Sequence, residues 1–523
     1  MKGYSATFAL RRRLRRALGR GSAITLHRKL AYALIIFSIS FGVKSLQAVD
    51  LAPVMYTPDQ PAAGMTIEYE SGAQSILRGD GLLIPRITDR SNTTPLEHPP
   101  GYSIFLSAIY RVAGSNYFRV QLIQNIINSI TPVMLFLIAG FVISWRVGFA
   151  SGIFAAVWHH LSYQSNILLP DSLTALPILI GVYFLIKAER EHGRGPWRYA
   201  LAGAMIGLSV WLRPNALMLG PFLAVSLMLW SYRFTGSGRR RVLLALASVL
   251  VIAPITIRNY VVYRQFVPVQ VGMGLNLWTG IAQGGGERFG AQIYDRLVAA
   301  QEAVTYGDPR YGSSWYTPDG IKRDHDRLKK GLAVVATHPF WYAGSVLRRM
   351  AHMLNYSADA SLVLKATDTR LIDVGAQDRE IIDAKVAQGA ALAAREQPLA
   401  PPGRCLAPGK SLAYFRPLAR AAQRLEKETV LIFMFVGAVA LFLLSSRRAF
   451  LLLMTPAYYF LAQSLVHTEI RYTLPMHYFL FVCAAIGWVV TCYSCLSAAK
   501  YLRNRLLTQS TQSEGALQPA KRP

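Results

Sequence analysis

Long apolar runs, rather than amphipathic stripes, organise this chain. "PVMLFLIAGFVI", "LPILIGVYFLI" and "VLIFMFVGAVALFLL" have no polar face at any helical phase. A helix that is hydrophobic all round belongs in lipid or in a very large core. Scanning for runs of about 17 to 25 apolar residues predicts ten spans, near 30–48, 118–145, 147–163, 166–187, 197–212, 214–232, 241–258, 428–445, 449–466 and 473–497. The predicted fold class is an all-α polytopic membrane protein.

The polar segments between the runs alternate in charge. If the chain starts inside, the cytosolic segments are the basic opening residues 1–29, Arg146, "KAEREHGRGPWR", "YRFTGSGRRR", "SSRR" and the basic residues 498–523. All are basic, whereas the opposite short loops near 164–169 and at 213 are poor in Lys and Arg by comparison. The positive-inside rule therefore predicts both termini in the cytosol. The opening "RRRLRRALGRGS" is too basic for a signal-peptide core and reads as an anchor ahead of the first span. Two long segments then fall outside: residues 49–117, within an N-terminal membrane region 30–258, and residues 259–427, before the C-terminal spans of 428–497. The second includes "GIKRDHDRLKKGLAVVATHPFWYAGSVLRRMAHMLNY", predicted as one amphipathic helix along the membrane surface, and an irregular Pro- and Gly-rich stretch, "EQPLAPPGRCLAPGKS".

Composition supports this picture. Charged residues are 16% of the 523 and hydrophobic ones 52%, against roughly a quarter charged in soluble domains. The net charge of +28 sits between and beyond the apolar runs, which fits topology and anionic lipid rather than nucleic acid. Cys405 stands alone in a loop, and "CYSC" near the end of the last run has no second pair, so neither a disulfide framework nor a zinc site is implied.

The ionisable residues at the outer ends of the spans carry the candidate chemistry. Asp171 opens the fourth span, Arg213 links the fifth to the sixth and Arg258 ends the seventh. "HTEIRY", with His467, Glu469 and Arg471, joins the last two. Ionisable groups at membrane depth are costly and mark functional paths. Singly, Arg213 and Arg258 also fit snorkelling to headgroups, and Asp171 in "PDSLTAL" fits a helix cap. Arginines on the outer face, however, run against the positive-inside trend, and their donor forks suit a lipid-linked phosphate.

"LEHPPGYSIFLSAIYRVAGSNYFRVQLIQNIINSITPVML" resembles the region after the first outer loop of bacterial GT-C glycosyltransferases, a group that includes lipid A aminoarabinose transferases, protein O-mannosyltransferases and lipopolysaccharide sugar transferases. "WLRPNALML", "IAPITIRNY", "FVPVQVGMGLNLWTG" and "HTEIRYTLPMHYFL" fit in the same order; residues 286–427 resemble nothing placeable. The resemblance implies a sugar taken from a polyprenyl phosphate on the periplasmic face of a bacterial inner membrane. The acceptor would be lipid A, polysaccharide or protein, activated by a carboxylate of the first outer loop. It further implies that Arg258, in "RNY", contacts the donor phosphate and that His98, where relatives carry a cation before "PP", contacts phosphate or acceptor. Arg471 and Tyr472 match the late "RY" lining the cavity, and Arg213 matches "RPN".

The chain departs from its relatives in "AAGMTIEYESGAQSILRGDG", residues 62–81. Many relatives carry the basic Asp four residues before the tyrosine of an "EYE"-like motif; here that tyrosine is Tyr69 and the position is Met65. The base is then Glu68, Asp59 or Glu70, in that order, with Asp50 as a further source, unless the chain is inactive or altered in mechanism. No metal site is predicted: a divalent cation is compatible with the family, but His98, His467 and Glu469 match no firm ligand spacing.

Other classes fit less well. A transporter or flippase of lipid-linked sugars would show internal repeats and polar residues in span centres. An O-antigen ligase or polymerase would not predict "HPPGY" behind an acidic loop, and a noncatalytic scaffold leaves the outer arginines unexplained.

Overall fold

The computed structural model describes residues 11–18, 24–55, 61–81, 89–190, 195–230, 238–354 and 415–516. All regular structure among them is helical. After a short helix at 11–18, the chain forms α1 (Leu26–Met55), α2 (Pro61–Arg78), α3 (Gly101–Ala113), α4 (Tyr117–Val142), α5 (Trp145–Val157), α6 (His159–Asn166), α7 (Ala175–Arg190), α8 (Trp197–Leu212), α9 (Leu219–Trp230) and α10 (Gly238–Tyr263). Next come α11 (Met273–Gln283), α12 (Asp295–Tyr306), α13 (Gly320–Thr337), α14 (Pro339–His352), α15 (Phe415–Leu444), α16 (Ser446–Ser464) and α17 (Leu474–Ala516).

Six helical stretches are long and apolar enough to cross a membrane: Leu26–Val49, Tyr117–Val142, Asp171–Arg190, Gly238–Tyr263, Ala421–Leu444 and Ile470–Asn504. Shorter apolar helices occupy Trp145–Val157 and Pro214–Trp230. The protein is therefore multi-pass and all-helical, as the apolar runs predict, although the count of ten spans is not reproduced by these criteria. The expected span at 147–163 is interrupted, because α5 stops at Trp158, whose ψ of 123° breaks the helical path before α6. Polar caps set other boundaries: the Asn116 side chain accepts from Arg119 N at the start of α4, satisfying a donor the first turn leaves open.

Close helix contacts seat α3 against the spans. Gly101 begins α3 against the end of α8, where a Cβ would lie 2.4 Å from the Trp211 carbonyl oxygen, so only glycine fits. That contact lies beside Arg213. Tyr69, Tyr102, Leu106 and Tyr110 close a core between α2, α3 and α4.

The stretch from α11 to α14 is a packed unit rather than a passive connection. The single surface helix expected from Gly320 onward is two helices, separated at His338 with Pro339 at the first position of α14, a place proline favours. Two of the cations of α13 turn inward: Arg323 and Arg327 are buried against Glu302 of α12. Residues 355–414, with Cys405 and the Pro- and Gly-rich stretch, lie outside the described residues.

Candidate active site

Helix α2 presents Glu68, Tyr69 and Glu70 in succession, and successive helical positions point about 100° apart. The three side chains therefore serve three environments. Tyr69 turns inward, stacking on His98 with ring centroids 4.4 Å apart and meeting Tyr102 edge-on at 5.1 Å. Glu70 enters the α2–α4 core, where it accepts hydrogen bonds from Tyr110 Oη (2.9 Å) and Tyr117 Oη (2.5 Å). Burial raises its carboxyl above the ordinary value, with the two hydroxyls opposing. Glu68 is half-buried, and its Oε2 lies 3.0 Å from His98 Nε2. Of the acids in the opening loop, Glu68 is thus the one brought to His98. Asp59 lies outside the described residues, as do the side chains of Asp50 and Met65.

His98 follows a 3₁₀ turn, Thr94–Leu96, that is pinned from outside the loop. Val271 N donates to Leu96 O at 3.0 Å, and Arg258 Nη2 donates to Pro95 O at 3.2 Å. This turn also presents a residue that the sequence reading passed over. Glu97 is 5% exposed, and its Oε1 lies 3.7 Å from His98 Nε2. Burial raises the Glu97 carboxyl well above its ordinary value, and the charge of Glu68 and a hydrogen bond between the two carboxyls add to this; a hydrogen bond from Tyr316 opposes it. Burial also pulls the His98 imidazole below its ordinary value, only partly offset by Glu68.

Ligand atoms of Glu68, Glu97 and His98 all lie within 4.8 Å of one another. Two carboxylates and a neutral imidazole form a donor set that fits a divalent cation. The looser grouping of His98 with His467 and Glu469 is not the one found. Glu469 Oε1 instead accepts from Arg471 Nη2 at 3.1 Å and lies 3.3 Å from His467 Nε2. Burial pushes the Glu469 carboxyl up, but the His467 hydrogen bond and the Arg471 charge outweigh it and bring it down to about 2.

Asp171 is not a helix cap. Its side chain makes no capping bond, and its Oδ2 accepts from Arg213 Nη2 at 2.9 Å. Nor does either outer arginine snorkel: Arg213 is 8% and Arg258 6% exposed. The Arg213 guanidinium lies 5.6 Å from the Tyr472 ring centroid, and Asp171, Thr174, Arg213, Tyr459, Arg471 and Tyr472 line one narrow cleft. The charges of Asp171 and Arg213 act on both Tyr69 and His98, so the cleft and the carboxylate cluster form one electrostatic neighbourhood.

Within that neighbourhood Tyr69 Oη, His98 Nδ1, Asp171 Oδ1, Arg213 Nε and Arg258 Nε are buried without a hydrogen-bond partner among the described residues. Buried polar atoms are rarely left unpaired. Five of them lie among these acids and cations. Glu97 was legible in principle, since it stands beside His98 in "LEHPPGY". Tyr316 carries no signal in its own stretch of sequence.

In class, the chain is a multi-pass, all-helical membrane protein with a cluster of buried ionisable residues at the ends of its apolar helices. Residues 97–257 match the profile of the dolichyl-phosphate-mannose-protein mannosyltransferase family, which bears out the GT-C resemblance read from the sequence. The match begins at Glu97 and takes in His98, Asp171 and Arg213. Among solved structures, the oligosaccharyltransferase of Archaeoglobus fulgidus in its apo form shares 14% identity, covering 92% of this chain and 52% of its own, with a TM-score of 0.48; the chain thus spans about half of that protein's length. ArnT from Cupriavidus metallidurans, solved in the apo state and bound to undecaprenyl phosphate, shares 14% and 15% identity. Both of its structures cover 89% of this chain and 77% of their own, with a TM-score of 0.32. No curated protein sequence matches.

Proposed function

We propose that the chain is a membrane glycosyltransferase that moves a sugar from a polyprenyl-phosphate donor to an envelope acceptor. In this reading the site faces the periplasm of a bacterial inner membrane, both termini are cytosolic, and residues 49–117 and 259–427 form the outer parts. The carrying observation is the convergence of Glu68, Glu97 and His98 beside the Asp171–Arg213 pair, amid unpaired buried donors. The partial match to a family named for a lipid-phosphate sugar donor adds support.

Glu68 acts as general base. It takes the proton of the acceptor hydroxyl or amine as that atom attacks the anomeric carbon, the bond from that carbon to the phosphate oxygen breaks, and the sugar inverts. A base must lie within hydrogen-bond reach of its proton, and half-buried Glu68 is open to an acceptor from outside. His98 orients it. The departing polyprenyl phosphate gains charge, which fixed donors stabilise best. Arg213 and Arg258 each keep a buried Nε–H for that purpose, while Arg471 and Tyr472 close the wall of the cleft. A divalent cation held by Glu68, Glu97 and His98 would supply further positive charge at the phosphate.

Mass analysis of the cell envelope, with and without the protein, tests the reading: one sugar should disappear from one acceptor, and E68Q should fail to restore it. A lipid-linked sugar that crosses vesicles carrying the protein, without transfer to any acceptor, points to a flippase instead.

A further inference from the structure

A large cavity lies at the end of the bundle away from the Glu68–Glu97–His98 cluster. Its wall on α17 runs from Trp488 to Leu496, roughly 20–30 Å along the helix from Leu474, which stands just after Tyr472 of the cleft. It holds about 1160 Å³ between helix 11–18, α1, α5, α15 and α17, more than the roughly 300–1,000 Å³ of small-molecule sites. On α5 the wall extends from Ser144 to Val157, about 20 Å. That length suffices for the hydrocarbon of one leaflet, half of a core about 30 Å thick.

The cavity has a cationic end and an apolar shaft. Helices α1 and α5 run side by side along it. Lys29 Nζ lies 4.7 Å from the Trp145 ring centroid, the Tyr32 and Phe149 rings are 4.9 Å apart, and a Cβ on Gly152 would lie 2.6 Å from Ile36 Cδ1. That register puts Arg28, Lys29 and Arg146 together at one end, where Arg28 and Arg146 are exposed and line the cavity. The rest of the wall is largely apolar, with Phe149, Ile153 and Val157 on α5, Phe433 on α15 and Val489 on α17. Helix 11–18 adds to the charge: it buries Leu14 and Leu18, lines the cavity with Ala17 and Leu18, and exposes five arginines. None of these cations is ion-paired among the described residues. The one acid in the lining, Glu426, is 3% exposed with both carboxyl oxygens enclosed, so it offers the cavity no exposed negative charge.

Unpaired cations beside an apolar shaft match an amphiphile with a negative head. Basic clusters next to a span attract anionic lipid, by about fivefold in affinity for each Lys or Arg, and guanidinium forks suit a phosphodiester. We infer that this cavity binds an anionic glycerophospholipid of the surrounding bilayer, with its phosphate on Arg28 and Arg146, its head near the arginines of helix 11–18, and an acyl chain along α5 past Ile153. A free inorganic anion would leave the shaft empty, and a zwitterionic lipid would bring its own cation to an end that is already basic. This site stands whether or not the chain transfers sugars.

The test is native mass spectrometry and thermal unfolding of the full-length protein in detergent micelles, with phosphatidylglycerol, phosphatidylcholine of the same acyl chains and inorganic phosphate as probes. Phosphatidylglycerol should bind about tenfold or more tighter than either of the others and raise the melting temperature. R28Q/R146Q, two exposed changes, should weaken that binding by about fivefold for each cation removed. I153W, which puts an indole into the shaft, should displace the lipid while the cationic end remains. Phosphatidylglycerol that binds no tighter than phosphatidylcholine, phosphate that binds as tightly as the lipid, or R28Q/R146Q with wild-type affinity each overturn the assignment. Undiminished binding to folded I153W overturns it too, because the lipid would then sit on the outside of the bundle rather than in the cavity.

Discussion

His98 Nε2 reaches Glu68 Oε2 at 3.0 Å across 30 residues of sequence, tying α2 to the turn before Pro99. The contact fixes the rotamer of the one acid of "IEYES" that faces the cluster, since Glu70 points into the tyrosine core.

If Glu68 is the base, E68Q keeps the hydrogen-bonded shape and loses only proton transfer. Turnover should fall by about 10²–10⁴-fold, the usual worth of a general base, with donor binding little changed. Full activity in E68Q, measured with a polyprenyl-phosphate sugar in vesicles, would move the role to another acid.

The ligand geometry of Glu68, Glu97 and His98 predicts stabilisation by a divalent ion. A saturating ion, at about a hundred times its Kd, should add roughly 2.7 kcal/mol, read as a higher melting temperature in titrations of Mn²⁺ or Zn²⁺. E97Q and H98Q should each lose most of that increment. An equal increment in wild type and both variants would place the ion elsewhere.

Asp171 and Arg213 are both buried. D171N should strand the guanidinium and cost about 3–5 kcal/mol, the penalty for breaking a buried pair from one side. The double variant D171N/R213Q should recover part of the loss in thermal unfolding, and should remain poor in donor affinity because Arg213 is gone. A double variant with wild-type donor affinity would remove Arg213 from the phosphate site.

Glu70 should matter to stability rather than to chemistry. Its folded-state pKa is raised, so the stability it contributes is fully present below the unfolded value, about 4.3, and is lost as pH rises through the raised one. The melting temperature of wild type relative to E70Q should therefore decline as pH increases from about 4, while E70Q turns over normally per folded molecule. Loss of turnover in stable E70Q would return Glu70 to the candidate bases.

Glu469 gives the opposite slope. Its carboxyl is depressed from 4.5 to about 2, so its stability contribution is present above 4.5 and vanishes as pH falls toward about 2. Wild type should melt above E469Q at neutral pH, and the difference should close across that acidic window. A constant difference would mean that the Arg471–Glu469 contact does not depend on the carboxylate charge.

The sequence by itself determined the class of protein. Apolar runs of span length leave no alternative to a membrane or an outsized core, and basic residues placed between them suggest a sidedness, because both signals are local and additive along the chain. The same locality made Arg213, Arg258 and Asp171 visible as ionisable groups at span ends. Only the tertiary structure decided which of them are partnered. Glu68 and Glu70 are two residues apart and look equivalent in sequence, yet helical rotation sends one to His98 and the other to Tyr110 and Tyr117. Tyr316 reaches Glu97, and Thr93 Oγ1 accepts from Gly320 N at 2.8 Å, 227 positions away. Residue type and spacing cannot encode such pairings, because they are set by how α13 and the turns before it settle on the first outer loop. The burial of Arg327 was hidden for the same reason: in "RDHDRLKKG" it reads as one more surface cation, and only packing against Glu302 buries it.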